Sequence, residues 1–223
     1  LQSALLLEPE QQQFRRVADL GCGTGHLTLP LAWFLQDQGC VVVGVDMDGH
    51  ALELLRQKST ADGGGKVETM QQEIQTLDTI ANCSAVVSLH ACGSASDWAM
   101  AVAISHSIPF AISPCCIGKF EASLRSNNTI KNNNMILSYP RSQRLSMRIK
   151  RSEYQLLAAA ADYGVSPTQE VPDDERDRQS RGRRAKQLVE LDRLEWAKEL
   201  DYDVRMVELP RIGPWYPKRE LLL

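Results

Sequence analysis

A chain of 223 residues, 43% hydrophobic and 24% charged with a formal net charge of −3, is long enough to bury roughly 70% of the surface its unfolded form exposes. No apolar run approaches the roughly 20 residues that span a bilayer, and the start LQSALLLEPE lacks the basic region and cleavage site of a signal peptide. Six cysteines at these spacings make neither a disulfide framework nor paired CxxC zinc motifs, so the expected setting is reducing and cytoplasmic, with no membrane and no metal.

The absent initiator methionine reads as a piece cut from a longer chain, and residues 1–223 are expected to form a single domain. VADL (17–20) is the first strand and ends in a glycine loop, after which residues 26–38 have a helical pattern. Pro30 is expected to cost that helix one backbone bond and to bend it. CVVVGVD (40–46) is a continuous β-branched run, as in a parallel strand buried on both faces. HALELLRQKSTADGGG predicts a helix closed by glycines. KVETM (66–70) and SAVVSLHA (84–91) are the third and fourth strands, a helix follows over 96–107, and PFAIS (109–113) is the fifth strand.

SNNTIKNNN (126–134) is a polar low-complexity loop, 152–164 a helix, and PDDERDRQSRG (172–182) an exposed charged loop. A helix over 185–200 and two late strands, YDVRMVELP and ELLL, complete the chain. Strands alternating with helices imply an α/β fold with a doubly wound, mostly parallel sheet and an antiparallel closing edge. Ligands of such sheets bind beyond the carboxyl ends of the strands, where the strand order reverses.

Charge is unevenly spread. The irregular insertion 117–151 carries eight basic residues (Lys119, Arg125, Lys131, Arg141, Arg144, Arg148, Lys150 and Arg151) against one acid, Glu121. Arg181, Arg183, Arg184 and Lys186 form a second basic cluster. Either solvated loops or an anionic partner accounts for such a ratio.

The richest stretch is DLGCGTGH (19–26). Gly21, Gly23 and Gly25 let the backbone turn sharply and approach a ligand. A dinucleotide loop places its third glycine where His26 stands, and Asp19 repels a pyrophosphate. The same Asp19 suits the cationic amino and sulfonium groups of S-adenosylmethionine, with Cys22 beside them. Asp46, at the end of the second strand, is placed to hydrogen-bond both ribose hydroxyls. Met47 offers an apolar wall for adenine, and Gln72 and Glu73 reach its edge.

LHACGSASDW (89–98) follows the fourth strand. His90 has the chemistry of a general base near neutral pH, or is a hydrogen-bonded residue at a crowded strand end. Asp97 orients it or binds the acceptor, or closes a capping box with Ser94. ISPCC (112–116) ends the fifth strand. Adjacent cysteines cannot pair with each other, because their Cα atoms are about 3.8 Å apart, and alternation turns at most one, Cys115 in preference to Cys116, toward a given pocket. With Cys22 and Cys92 these thiols gather at one sheet edge, as packing, as a nucleophile or as metal ligands, packing leading.

Taken together, DLGCGTGHL, LHACGSASD, SPCCIGKF, AKQLVELDR and YPKRELLL make the chain similar to the methyltransferase-like domain of glutathione S-transferase C-terminal domain-containing proteins, from about Val17 to Leu223. More distantly, the HACG and PCC blocks resemble the tRNA 2′-O-methyltransferases that act on the acceptor stem and the related methyltransferase-like proteins. The resemblance implies a class I, Rossmann-like methyltransferase fold with S-adenosylmethionine as cofactor. It carries the cofactor role onto Asp19, Gly21, Gly23, Gly25 and Asp46, and marks His90, Cys92, Asp97, Cys115 and Cys116 as the group's signature. The expected activity is S-adenosylmethionine-dependent methyl transfer to RNA, ribose oxygen ahead of base. The alternative is a catalytically silent module of the same fold that binds RNA or protein.

Overall fold

The computed structural model describes residues 15–61, 65–77, 79–80, 82–89, 91–114, 117, 131–132, 135–161, 173–208 and 220–223. Five strands run parallel: β1 (Arg16–Leu20), β2 (Val41–Asp46), β3 (Lys66–Gln71), β4 (Ala85–Leu89) and β5 (Phe110–Ser113). A short antiparallel pair, β6 (Lys131–Asn132) and β7 (Met135–Ile136), stands apart. The main sheet closes with β8 (Met206–Glu208) and β9 (Glu220–Leu222), in the order β3-β2-β1-β4-β5-β9-β8. β9 is antiparallel to both of its neighbours, which supplies the expected closing edge. The fold is thus α/β and Rossmann-like, and its strand order reverses between β1 and β4.

Both faces of the sheet are covered, as the apolar run of β2 requires. Period-two alternation sends Ala18, Leu20, Val41, Val43 and Val45 to one face, where they pack with Met100 and Ala103 of α3 (Ala95–Ser105) and Leu194 and Ala197 of α6 (Asp173–Glu199). Val17 and Val87 face the other way, against Leu31 and Leu35 of α1 (Thr28–Leu35). Leu52 and Leu55 of α2 (Gly49–Ala61) extend that second layer. Near the carboxyl edge of the sheet, α4 (Gln143–Ser146) and α5 (Arg151–Ala161) pack on α6.

Two local expectations are corrected. Pro30 is the third residue of α1, in the first turn, where its missing N–H is not needed, so it costs no helical bond. Residues 173–182 of the expected loop are helical, because α6 begins at Asp173 and runs 27 residues. Among its buried positions, Gln179, Gly182, Ala185, Val189, Arg193 and Ala197 recur every three or four residues, with Lys186, Glu190, Asp192 and Leu194 beside them. That stripe is helical, but its polar members conceal it from a reading based on hydrophobicity.

Candidate cofactor site and its buried counterpart

The glycine loop crosses the end of β2. Gly21 and Cys22 donate their N–H groups to the Val45 carbonyl at 2.8 and 3.1 Å, and Gly23 N donates to Asp46 Oδ2 at 2.8 Å. Gly25 has φ +88°, and a Cβ there would collide with Leu55 Cδ1. A Cβ on Gly23 would meet nothing within 4 Å, so the backbone at this point faces open space. Lys58 of α2 ties the loop from outside, donating to the Thr24 carbonyl at 3.3 Å.

Asp46 is half-buried and spends one oxygen on Gly23 N and the other on Asp48 N, at 2.9 Å. Each oxygen keeps acceptor capacity, which suits two hydroxyls of a ribose. Gln72 N bonds the Asp46 carbonyl at 3.0 Å, joining the end of β3 to the same edge. The Gln72 side chain turns to the Thr76 carbonyl at 2.8 Å, while Glu73 is exposed and bonded to Gln75. Met47 is 66% exposed beside them, an apolar surface open to a flat ring.

Asp19 lies under the loop at the start of α1, 1% exposed. Its Oδ2 accepts the Thr28 hydroxyl at 2.6 Å, and its Oδ1 has no partner. Desolvation, opposed by Thr28 and reinforced by Asp46, pushes its carboxyl up to about 6. An orphaned carboxylate oxygen beneath an open glycine loop fits a cationic ligand group, so the residues present suit S-adenosylmethionine.

Cys22 takes the packing role that leads among the readings of these thiols. Its side chain turns from the open loop into the layer of Leu52 and Leu55, and a Cβ on Gly44 would lie 2.9 Å from its Sγ. Burial pushes this thiol up to about 12, in keeping with a neutral side chain packed in that layer. Cys92 is half-buried after β4, at the neighbouring strand end. Among the described residues no three potential ligands form a metal cluster. His90, Cys115 and Cys116 lie outside the described residues.

Asp97 has the opposite surroundings to Asp19. It is fully buried in α3, and Arg141 and Arg193 both reach its carboxylate, the second through Nε at 2.7 Å. Tyr139 donates to it at 3.1 Å. Burial alone would raise this carboxyl, yet the two guanidinium groups outweigh it and hold Asp97 below the usual carboxylate range. Ser94 makes no side-chain cap on α3, so the capping box is absent.

The network continues outward. Arg193 takes Glu190 through two bonds of 2.7 and 2.8 Å, and its Nη2 donates to the Gly93 carbonyl at 3.4 Å. Asp192 accepts from Arg141 N, Ser142 N and Ser142 Oγ at 2.9, 3.0 and 2.6 Å. These bonds join α6 and the 139–142 segment to the loop after β4. Arg141, expected on a basic surface, is instead an internal strut. Lys186 is likewise buried, whereas Arg181, Arg183 and Arg184 are exposed. Sequence reasoning missed Thr28, Arg193 and the strut role of Arg141. The advance signals were the AKQLVELDR block, which ends on Arg193, and the i,i+3 spacing of Glu190 and Arg193 within it.

A cavity of about 470 Å³ lies away from all of this, lined by Val17, Ala85 and Phe110 at the opening residues of their strands. It belongs to the other end of the sheet. No helix among the described residues is long and apolar enough to cross a membrane.

Comparison with known proteins places the chain. A family described as "Methyltransferase domain" matches residues 2–123. The chain is 28% identical over 194 residues to a glutathione S-transferase C-terminal domain-containing protein of Xenopus laevis, covering 86% of this chain and 28% of the relative. A homologue from Drosophila melanogaster is 25% identical over 210 residues, covering 93% of this chain and 32% of that protein. The chain therefore spans about three tenths of the length of these relatives. Among solved structures, coclaurine N-methyltransferase bound to N-methylheliamine and SAH aligns at 21% identity and a TM-score of 0.40, over 52% of this chain and 34% of that one.

Proposed function

The chain belongs to this methyltransferase-domain family, and from that premise we propose that it transfers methyl groups to RNA, with a ribose oxygen as the favoured acceptor. S-adenosylmethionine is its cofactor, and supplies an electrophilic methyl group on a sulfonium when bound.

The chain's own residues have the remaining tasks. Asp46 takes the ribose hydroxyls, Met47 covers the adenine, and the open backbone at Gly23 admits the cofactor to the carboxyl edge of the sheet. Asp19 sits where the cationic end belongs. In-line displacement asks the protein chiefly to hold the nucleophile in place and, for a hydroxyl, to help remove its proton. His90, the residue after the last of β4, is the candidate base, with Cys92 beside it in sequence. Asp97 is assigned to positioning, since both of its oxygens are taken.

The observation that supports RNA is the surface tied to the loop after β4. Among the residues whose exposure is described, α4, α5, α6 and the link between α4 and α5 expose Arg144, Arg148, Lys150, Arg151, Arg178, Arg181, Arg183, Arg184 and Lys198 against Glu153, Asp177 and Glu199. The buried network anchors this layer beside Gly93, on the acceptor side of the sheet. A phosphate backbone running over these cations brings a ribose to the strand ends.

The test is transfer of labelled methyl groups from S-adenosylmethionine by the full chain to total RNA and, separately, to protein extract. Label in RNA, falling steeply with added salt, is expected. Label in protein alone, or in neither, overturns the proposal. The commitment of Asp97 to a structural network favours a second reading, a catalytically silent RNA- or protein-binding module, and label in neither fraction is its signature.

A further inference from the structure

A buried carboxylate with one unbonded oxygen is costly in its charged form and ready to hold a proton. Asp19 is such a group, with Oδ2 on the Thr28 hydroxyl and Oδ1 bare. The titratable groups that face it are an acid and a thiol: Asp46 at the end of β2 and Cys22 in the loop. α1 contributes Thr28, and on the β4 side the Ser88 hydroxyl is committed to the Leu20 carbonyl at 2.7 Å. Among the described residues, no cation faces Asp19.

We propose that the cationic methionine end of S-adenosylmethionine expels a proton from Asp19 as it binds, so that cofactor loading is linked to pH. The exchange balances: the neutral carboxylic acid gives its proton to solvent, and the carboxylate left behind pairs with the arriving charge. The inference rests on the cofactor reading above and adds a regulatory property to it.

The pH window follows from the free state, in which the Asp19 carboxyl titrates at about 6. An α-amino group ionises near 7.7–8.0, so the ligand stays cationic throughout that window. Above about pH 6 the carboxylate is already formed and affinity is flat. Below it, affinity falls by up to about tenfold per pH unit, because a proton must leave for each ligand bound.

Calorimetry of S-adenosylmethionine binding to the intact chain, in pairs of buffers with different ionisation enthalpies, reads this directly. We expect release approaching one proton per ligand below about pH 6, fading to none above about pH 7. Thr28→Val removes a hydrogen bond to the charged form and moves the midpoint upward by about one unit. Asp19→Asn abolishes the release. Binding whose enthalpy is independent of buffer at every pH overturns the inference while leaving the cofactor in place. Absence of binding at every pH overturns the cofactor reading, and this inference with it.

Discussion

Asp19, near the end of β1, and Asp97, in the first turn of the helix after the adjacent β4, are both buried aspartates, and they differ in almost everything else. Asp19 has one hydroxyl partner and a bare oxygen, and its carboxyl is pushed up. Asp97 has two arginines and a tyrosine, and its carboxyl is held down. Burial is nearly equal, so burial does not decide function. What decides it is whether the protein itself completes the hydrogen bonds. An incomplete set at the glycine loop leaves room for a ligand, while the complete set in α3 holds the two halves of the molecule together.

The sharpest way to break this contrast is Asp97→Ala. It leaves Arg141 and Arg193 buried without their shared partner, which costs about 3–5 kcal/mol. Urea unfolding should show that loss. A cost below about 1 kcal/mol would mean the network is not the anchor described.

Asp19→Asn should act in the other direction. A folded-state carboxyl raised to about 6 from 3.8 contributes stability below the lower value and loses it as pH rises through the upper. Above pH 6 the asparagine variant is therefore expected to be more stable than the parent by about 1–3 kcal/mol, a difference that vanishes below about pH 4. Its affinity for S-adenosylmethionine should nevertheless drop by at least about tenfold. Thermal unfolding at two pH values, with binding measured alongside, separates the two effects. Asp97 shows the reverse pH trend, contributing stability above the ordinary carboxylate range and losing it only in acid.

The smallest effect is expected for Arg193→Lys. The charge stays, but the fork that serves Glu190, Asp97 and Gly93 is lost, at about 1–2 kcal/mol. Amide exchange of residues 91–94 should quicken in this variant. Unchanged exchange would separate the loop after β4 from the network.

The first half of the chain was legible because its signals are local. Period-two apolar runs, glycines at a turn and an acid in the last two residues of each of the first two strands put Asp19, Gly21, Gly23, Gly25 and Asp46 at one edge once the strands are parallel. The second half was not, because its organising contacts join residues far apart in the chain. Arg141 meets Asp97 across 44 residues and Arg193 meets it across 96. A charged residue reads as exposed until its partner is known, so Arg141 and Lys186 were assigned to a basic surface and the start of α6 to a loop.

The amino-acid sequence by itself determined the α/β class and the edge that gathers the glycine loop and Asp46, since hydrophobic period and turn chemistry act over a few residues. Only the tertiary structure decided which buried charges are satisfied. That depends on partners brought together from separate elements, and it is what divides Asp19, with one oxygen bare, from Asp97, closed within the scaffold.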